Sequence, residues 1–260
     1  MSMLHRARCA STAYRKEGLR GIMHLLLSRY GLPVPASAEY LWREGDRSEI
    51  AFWDEWLRTK GSRWPASYPE RLDPDLLLQP IVASMLPAQS KVDILDVGAG
   101  PLTSLGKRLP GREIEITAID ARADEWDRLL EKYGVQPIVR SQKLLAEELT
   151  GRFAVDTFDL VYARNSIDHC DDPERAVVQM IEVVKPRCYV VLEHSQNEGE
   201  HHGWRGAHQH NLSMSSDGAF TIASKRSLVD MTAKYADLCS IECRLTSGPR
   251  AWLITKILKR

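Results

Sequence analysis

The sequence predicts an α/β fold. It should be a doubly wound, mostly parallel seven-stranded sheet with one antiparallel edge strand, plus an α-helical N-terminal cap. Three observations carry this expectation. From residue 91 onward, short apolar runs alternate with helical patterns, as in a parallel sheet covered on both faces. The first run, "VDILDV" at 92–97, passes directly into Gly98-x-Gly100, where glycines let the backbone turn tightly against a ligand. The last two runs, "CSIECRL" and "AWLITKIL", lie close enough for a hairpin and give the antiparallel edge.

The cap is expected over 1–90 and the main domain over 91–260. Leu19, Ile22, Met23, Leu26 and Tyr30 recur at helical spacing. A second helix is expected at 48–61, capped by Ser48, with Ile50, Trp53 and Leu57 on one stripe. Four of the seven tryptophans fall between 42 and 64, which reads as a cap packed on the main domain or as an aromatic wall over an acceptor. Pro65, Pro69 and Pro74 break regular structure before "DLLLQPIVASML", read as a helix leading into the core. Strands are expected at 92–97, 114–119, 136–140, 158–163 and 188–193. A helix at 173–185 has Asp172 as its cap, Pro173 in its first turn and Lys185-Pro186 at its end. Another helix is expected at 224–236. Residues 194–221 show few regular features, and so long a segment in a compact domain reads as a lid or acceptor-binding insertion.

Composition narrows the functional classes. Lys+Arg and Asp+Glu both number 35, so no global basic field attracts nucleic acid. The first 35 residues carry six basic side chains against Glu17, which reads as a solvated helix face, with contact to a membrane surface or an acidic partner as the alternative. "GIMHLLL" is far short of the roughly 20 apolar residues of a membrane span and lacks a cleavage site, so neither a span nor a signal peptide is read. Five cysteines without CxxC spacing suggest reduced thiols and a cytoplasmic location.

The ligand expected at the glycine turn lacks phosphate. A dinucleotide site needs a third glycine where Thr103 stands. Asp96, just before Gly98, suits a ligand's positive charge better than a diphosphate. Asp120 closes "EITAID", where a carboxylate accepts ribose hydroxyls.

"ILDVGAGP", Asp120, "DTFDLVYARNSIDHCDDP" and "VVKPRCYVVLEHS", in this order, resemble the class I S-adenosylmethionine-dependent methyltransferases over about residues 91–195. The resemblance extends to a subset of bacterial methyltransferases often encoded near sugar-polymer genes. It implies S-adenosyl-L-methionine as cofactor, held by Asp96, Gly98, Gly100, Asp120, Ala146, Glu147 and Asn165. Leu145 stands where an acid is usual, so adenine contacts would pass to backbone groups near Ala146 and Glu147. "KPRC" departs from the family's Lys-Pro-Gly-Gly turn.

Residues 193–212, "EHSQNEGEHHGWRGAHQHNL", hold five of the eight histidines. Histidine and glutamate ligate divalent ions. Yet His201 and His202 are adjacent and no second cluster completes a site, so no metal ligand is assigned; a metal site and a plain surface loop stay open beside a catalytic reading. Methyl transfer to an alcohol is an in-line displacement that needs positioning and a base for the leaving proton. His194 is the first choice of base, with His208 and His169 as alternatives. Glu198, Gln209 and Asn211 are read as acceptor-binding. The expected function is O-methylation of a small hydroxylated acceptor such as a sugar or sugar-containing metabolite. Two alternatives stand beside it: N-methylation of a small amine or natural product, and a non-catalytic cofactor-binding partner. A nucleic-acid substrate is excluded by the charge balance and by the lack of an Asn/Asp-Pro-Pro-aromatic motif. The sequence does not set the oligomeric state; a homodimer is one compatible assembly.

Overall fold

The computed structural model describes residues 38–247 and 251–260, with side chains from residue 47 onward. The periodic stretch at 19–30 and the basic N-terminal segment lie outside the described residues. The chain divides into two compact units, Met1–Arg43 and Glu44–Arg260. The helix α1, Ala38–Arg58, carries the chain from one to the other.

Short helices α2 (Ser67–Leu72) and α3 (Pro80–Ala83) lead to strand β1 (Lys91–Val97). There follow β2 (Glu113–Asp120), helix α4 (Ala123–Tyr133), β3 (Ser141–Lys143) and β4 (Phe158–Arg164). Helix α5 (Pro173–Val183) leads into β5 (Val184–Ser195). Beyond it come helix α6 (Glu198–His201), β6 (Asn211–Met214), β7 (Phe220–Ala223), β8 (Leu228–Asp230) and helix α7 (Met231–Lys234). Strands β9 (Cys239–Leu245) and β10 (Trp252–Lys259) close the chain.

The seven-stranded sheet runs β3-β2-β1-β4-β5-β10-β9. β1, β2, β3, β4 and β5 are parallel, and β10 runs antiparallel to both β5 and β9. The reversed strand therefore lies one place in from the edge. Both faces of the sheet are covered, as the continuous apolar runs require. Leu95, Val97, Val161, Ala163, Val190 and Leu192 pack against α5 on one face. Ile94, Leu160, Tyr162 and Val191 meet Leu78, Val82 and Leu105 on the other.

Several local expectations are corrected. The helix expected at 48–61 begins ten residues earlier, so Ser48 sits inside it and is not its cap. It ends where Lys60 (φ 52°) and Gly61 (φ 113°) turn left-handed. The stripe does pack: Leu57 is buried, and Ile50 and Trp53 join Trp56, Leu102 and Trp126 in one cluster. In "DLLLQPIVASML" only Pro80–Ala83 is helical, because Leu76 and Leu78 bond to the backbone of residues 107–108 instead. The third strand is at 141–143, not 136–140: Pro137 has no N–H to give a ladder, and pairing to β2 begins at Ser141. The helix expected at 224–236 is reduced to α7. Leu228–Asp230 pairs with β7, and Asp230 Oδ1 caps α7 by accepting the Ala233 N–H at 2.9 Å. The α5 expectation holds at its start, where Asp172 Oδ1 accepts the Arg175 N–H at 3.0 Å and Pro173 follows.

The segment 194–221 is more regular than its composition suggests. With the residues after it, it builds a three-stranded antiparallel sheet, β6-β7-β8. Leu212, Phe220, Ile222 and Met231 bury their side chains in the same core as β5 and α5.

Candidate active site

The loop after β1 is built by local sequence. Gly98 (φ 70°) and Gly100 (φ 67°) adopt a backbone that disfavours any side chain. A Cβ at Gly98 would stand 2.4 Å from Ser166 Cβ, and one at Gly100 would stand 2.9 Å from the Trp53 ring. Asp120, at the end of β2, accepts the Gly100 N–H at 2.9 Å and the Arg122 N–H at 2.9 Å. Ser141, opening β3, donates to the Gly100 carbonyl at 2.7 Å. Three strand ends thus fix one turn. Burial raises the Asp120 carboxyl above its ordinary range, opposed by the two backbone donors.

Asp96 is 2% exposed, and its Oδ2 accepts a short hydrogen bond from Thr103 Oγ1. Burial pushes its carboxyl up to about 6, against the Thr103 hydrogen bond and the nearby Arg71 guanidinium. A cationic ligand at this spot would favour the ionised form. The sequence reading did not single out Arg71, which arrives from α2 and lies over Trp53 and Trp56 at 5.4 and 5.5 Å.

Ala146 and Glu147 open a 3₁₀ turn, Ala146–Gly151. Glu147 is tied to the start of α5: its Oε1 accepts the Asp172 N–H at 3.2 Å, and its carbonyl accepts Arg175 Nε at 2.9 Å. Asn165 (φ 50°) joins β4 to β5, with its Oδ1 accepting the Ser195 N–H at 3.2 Å.

The loop after β4 links this end to the histidines. Ser166 donates to the Val97 carbonyl at 3.1 Å, and three residues on His169 faces the other cluster. His194, the first choice of base, lies in the core beneath this loop. It is 1% exposed, and its Nε2 accepts the Ile167 N–H at 3.1 Å, with the Ser166 N–H at 3.4 Å. Burial pushes it down to about 4. A neutral imidazole with its basic nitrogen already engaged positions the loop; it is not placed to accept an acceptor's proton.

His208 is more open to solvent. Its Nδ1 lies 2.8 Å from Asp168 Oδ2 and 3.8 Å from Glu198 Oε2, and its side chain is 20% exposed. His202 stacks on it at 4.0 Å, and His202 Nε2 is 3.1 Å from Glu198 Oε2. His169 meets its ring edge-on at 4.7 Å, while His169 Nδ1 lies 2.8 Å from Glu49 Oε2. Burial opposes charge on His169, but Asp168 and Glu49 outweigh it and raise the imidazole to about 9. Burial alone would raise Asp168, yet the facing imidazoles hold its carboxyl well below the ordinary range. Asp168 Oδ1 and His169 Nε2 are buried without a hydrogen-bond partner among the described residues; the 3.4 Å approach of His169 Nε2 to Asp168 is an ion-pair distance only.

Of the residues read as acceptor-binding, Glu198 is in this cluster. Asn211 is 5% exposed and its Oδ1 accepts the Glu200 N–H at 3.0 Å, which fastens α6 to β6. Gln209 donates to the Gly206 carbonyl at 2.8 Å. Glu49, Asp168 and His202 complete the cluster and were not singled out by sequence. Asp168 lies inside "NSIDHCDD", but nothing in the run ranks it above His169. Glu49 comes from α1, over a hundred residues away, and carries no signal at all.

Residues 95–192 match the family model described as a methyltransferase domain. The match takes in less than half of the chain, and S-adenosyl-L-methionine is the cofactor that a domain of this description takes. No curated protein matches the chain. Solved structures that resemble it include DhpI in complex with SAH, at 18% identity and TM-score 0.48, covering 86% of this chain and 98% of that one. The 1,6-didemethyltoxoflavin-N1-methyltransferase of Burkholderia thailandensis resembles it at 13% identity and TM-score 0.46, covering 88% and 93%. The [4+2]-cyclase SpnF resembles it at 22% identity and TM-score 0.33, covering 49% of this chain; the chain spans 45% of that protein's length.

Proposed function

We propose that the protein transfers a methyl group from S-adenosyl-L-methionine to a hydroxyl group of a small polar acceptor, such as a sugar or sugar-containing metabolite. The residues around β1 and β2 fit the cofactor. Asp96 and Asp120 offer carboxylates to a cationic nucleoside, and the glycines at 98 and 100 let Ser166 and Trp53 close against the turn. In this reading Asn165, Ala146 and Glu147 line the methionine and adenine ends, and the cap expected over 1–90 contributes Trp53 beside Gly100. The sulfonium supplies an electrophilic methyl group. The acceptor oxygen forms the new C–O bond as the S–C bond breaks, and the hydroxyl proton must leave the site.

One observation carries the acceptor class. Asp168, Glu198 and His208 converge at the carboxyl ends of β4 and β5, joined to the cofactor turn through Ser166. A hydroxyl is too weak a nucleophile to attack without loss of its proton, and a buried carboxylate–imidazole group is the equipment for that. An amine, once its ammonium proton is lost to solvent, attacks as the neutral base and leans less on such a group. The residues after Ser195 then form the acceptor-binding insertion, with His208 and Glu198 facing the hydroxyl and His194 supporting the loop. The test is transfer of labelled methyl from S-adenosyl-L-methionine onto two panels, hydroxylated metabolites and glycans in one and amines in the other. Label confined to the first supports the reading; label confined to amines overturns it.

A further inference from the structure

The geometry points to a binding site for one divalent transition-metal ion of the zinc class, formed by Glu198, His202, His208 and Asp168. Two three-residue groups meet at His208, Asp168–His169–His208 and Glu198–His202–His208, and in each the candidate ligand atoms lie within 4.8 Å of one another. The sequence could not show this, because Asp168 is supplied by the loop after β4 and the other three by the segment after β5.

Hydrogen bonding alone accounts for only part of the arrangement. It pairs Asp168 with His208 at 2.8 Å and Glu198 with His202 at 3.1 Å. It leaves Asp168 Oδ1 buried and unpartnered among the described residues, in a side chain only 2% exposed. It also brings a second carboxylate to 3.8 Å of the nitrogen that already faces Asp168. One imidazole nitrogen carries at most one proton and cannot donate to both. Two buried carboxylates converging on one nitrogen are costly, and an ion between them would offset the charge that the imidazoles beside them leave uncompensated.

The spacing suits such an ion. Tetrahedral ligands at zinc's usual bond lengths stand roughly 3.3 Å apart. The observed separations of 2.8, 3.1 and 3.8 Å bracket that value. Two imidazoles with two carboxylates favour zinc, cobalt, nickel or iron over magnesium or calcium, which prefer all-oxygen shells. His202 is 44% exposed on its side chain, so the site has an entrance. His169, held by Glu49 at 2.8 Å, lies behind His208 and orients it. The inference rests on the proposed function only for what the ion would do, which is to acidify a coordinated hydroxyl and so replace a free imidazole base.

The test uses the full chain, stripped by a chelator and titrated calorimetrically with Zn²⁺, Co²⁺ and Mg²⁺. One equivalent of Zn²⁺ should bind, Co²⁺ should take the same place and show the visible absorption of a four-coordinate ion, and Mg²⁺ should bind on the order of 100-fold more weakly. His202→Ala should weaken Zn²⁺ by roughly 10- to 100-fold. The double variant Glu198→Gln/His208→Ala should lose the site. On the wild-type chain, Zn²⁺ should protect His202 and His208 from acylation by diethyl pyrocarbonate, which keeps the test decisive if the double variant does not fold. Absence of stoichiometric binding, wild-type affinity in the double variant, or unprotected His208 overturns the proposal. Failure here leaves the panel assay for hydroxyl methylation untouched, and binding of zinc by a chain that methylates only amines would overturn the acceptor class alone.

Discussion

The turns after β1 and β4 are neighbours, joined where Ser166 packs on Gly98, yet they treat their polar groups in opposite ways. After β1, the Gly98 and Ala99 N–H groups donate to the Ile119 carbonyl, Gly100 donates to Asp120, and Ser141 closes on the Gly100 carbonyl. The turn is set before any ligand arrives. In the loop after β4, Asp168 Oδ1 and His169 Nε2 are buried without hydrogen-bond partners among the described residues, as are His194 Nδ1 of β5 and His210 Nδ1 before β6; near the first turn only Trp126 Nε1 is so left among them. A fold that leaves such groups unmatched forgoes stability it has the means to gain. The contrast separates a turn whose polar groups are matched within the fold from a region that holds bonding capacity in reserve.

The variants that test this contrast differ in what they should change. His208→Ala should lower turnover on the order of 10²–10⁴-fold while the cofactor still binds; equal loss of cofactor affinity by calorimetry would erase the division. Asp120→Ala should weaken cofactor affinity on the order of 100-fold, as loss of charged hydrogen bonds does. Unchanged affinity would sink the ribose assignment. Gly98→Ala combines a left-handed φ of 70° with a 2.4 Å approach to Ser166 and should cost about 2–3 kcal/mol in denaturant unfolding. His194→Ala should cost about 2 kcal/mol, because the Ile167 N–H loses its buried acceptor. Wild-type stability with abolished turnover would return His194 to the role of base.

The smallest effect is a pH dependence. The native Asp96 carboxyl titrates at about 6, above its ordinary 3.8, so the folded chain holds a proton the unfolded chain has released. Stability from this group is lost as pH rises from 4 through 6. Asp96→Asn should therefore make the cofactor-free protein more stable by about 1–3 kcal/mol above pH 6, with no gain below pH 4. Thermal unfolding at pH 4 and pH 8 reads the difference, and an equal shift at both would remove the buried-carboxyl account.

The sequence exposes what is local. β1, β2 and β4 are continuous apolar runs ending in an acid or a turn, and Asp172-Pro173 announces α5. It conceals what depends on pairing. Ser141–Lys143 becomes a strand only because Ala118–Asp120 lies beside it, and Leu228–Asp230 leaves a helical pattern to pair with β7. The histidines show a third limit. A sequence gives the order of His194 and His208 along the chain but not their depth, and depth decides which one meets solvent. The partners of His208 come from positions 168 to 202, and no spacing rule connects them.

The core shared by β5, α5 and the β6-β7-β8 sheet bears on how molecules enter and leave. Lifting that small sheet away would uncover Leu212, Phe220, Ile222 and Met231, at a cost on the order of 6–12 kcal/mol for side chains of this kind. An opening at that cost is populated in about one molecule in 10⁴ or fewer. The wall behind His208 is then a standing one, and the most exposed side chain of the cluster is His202, at 44%.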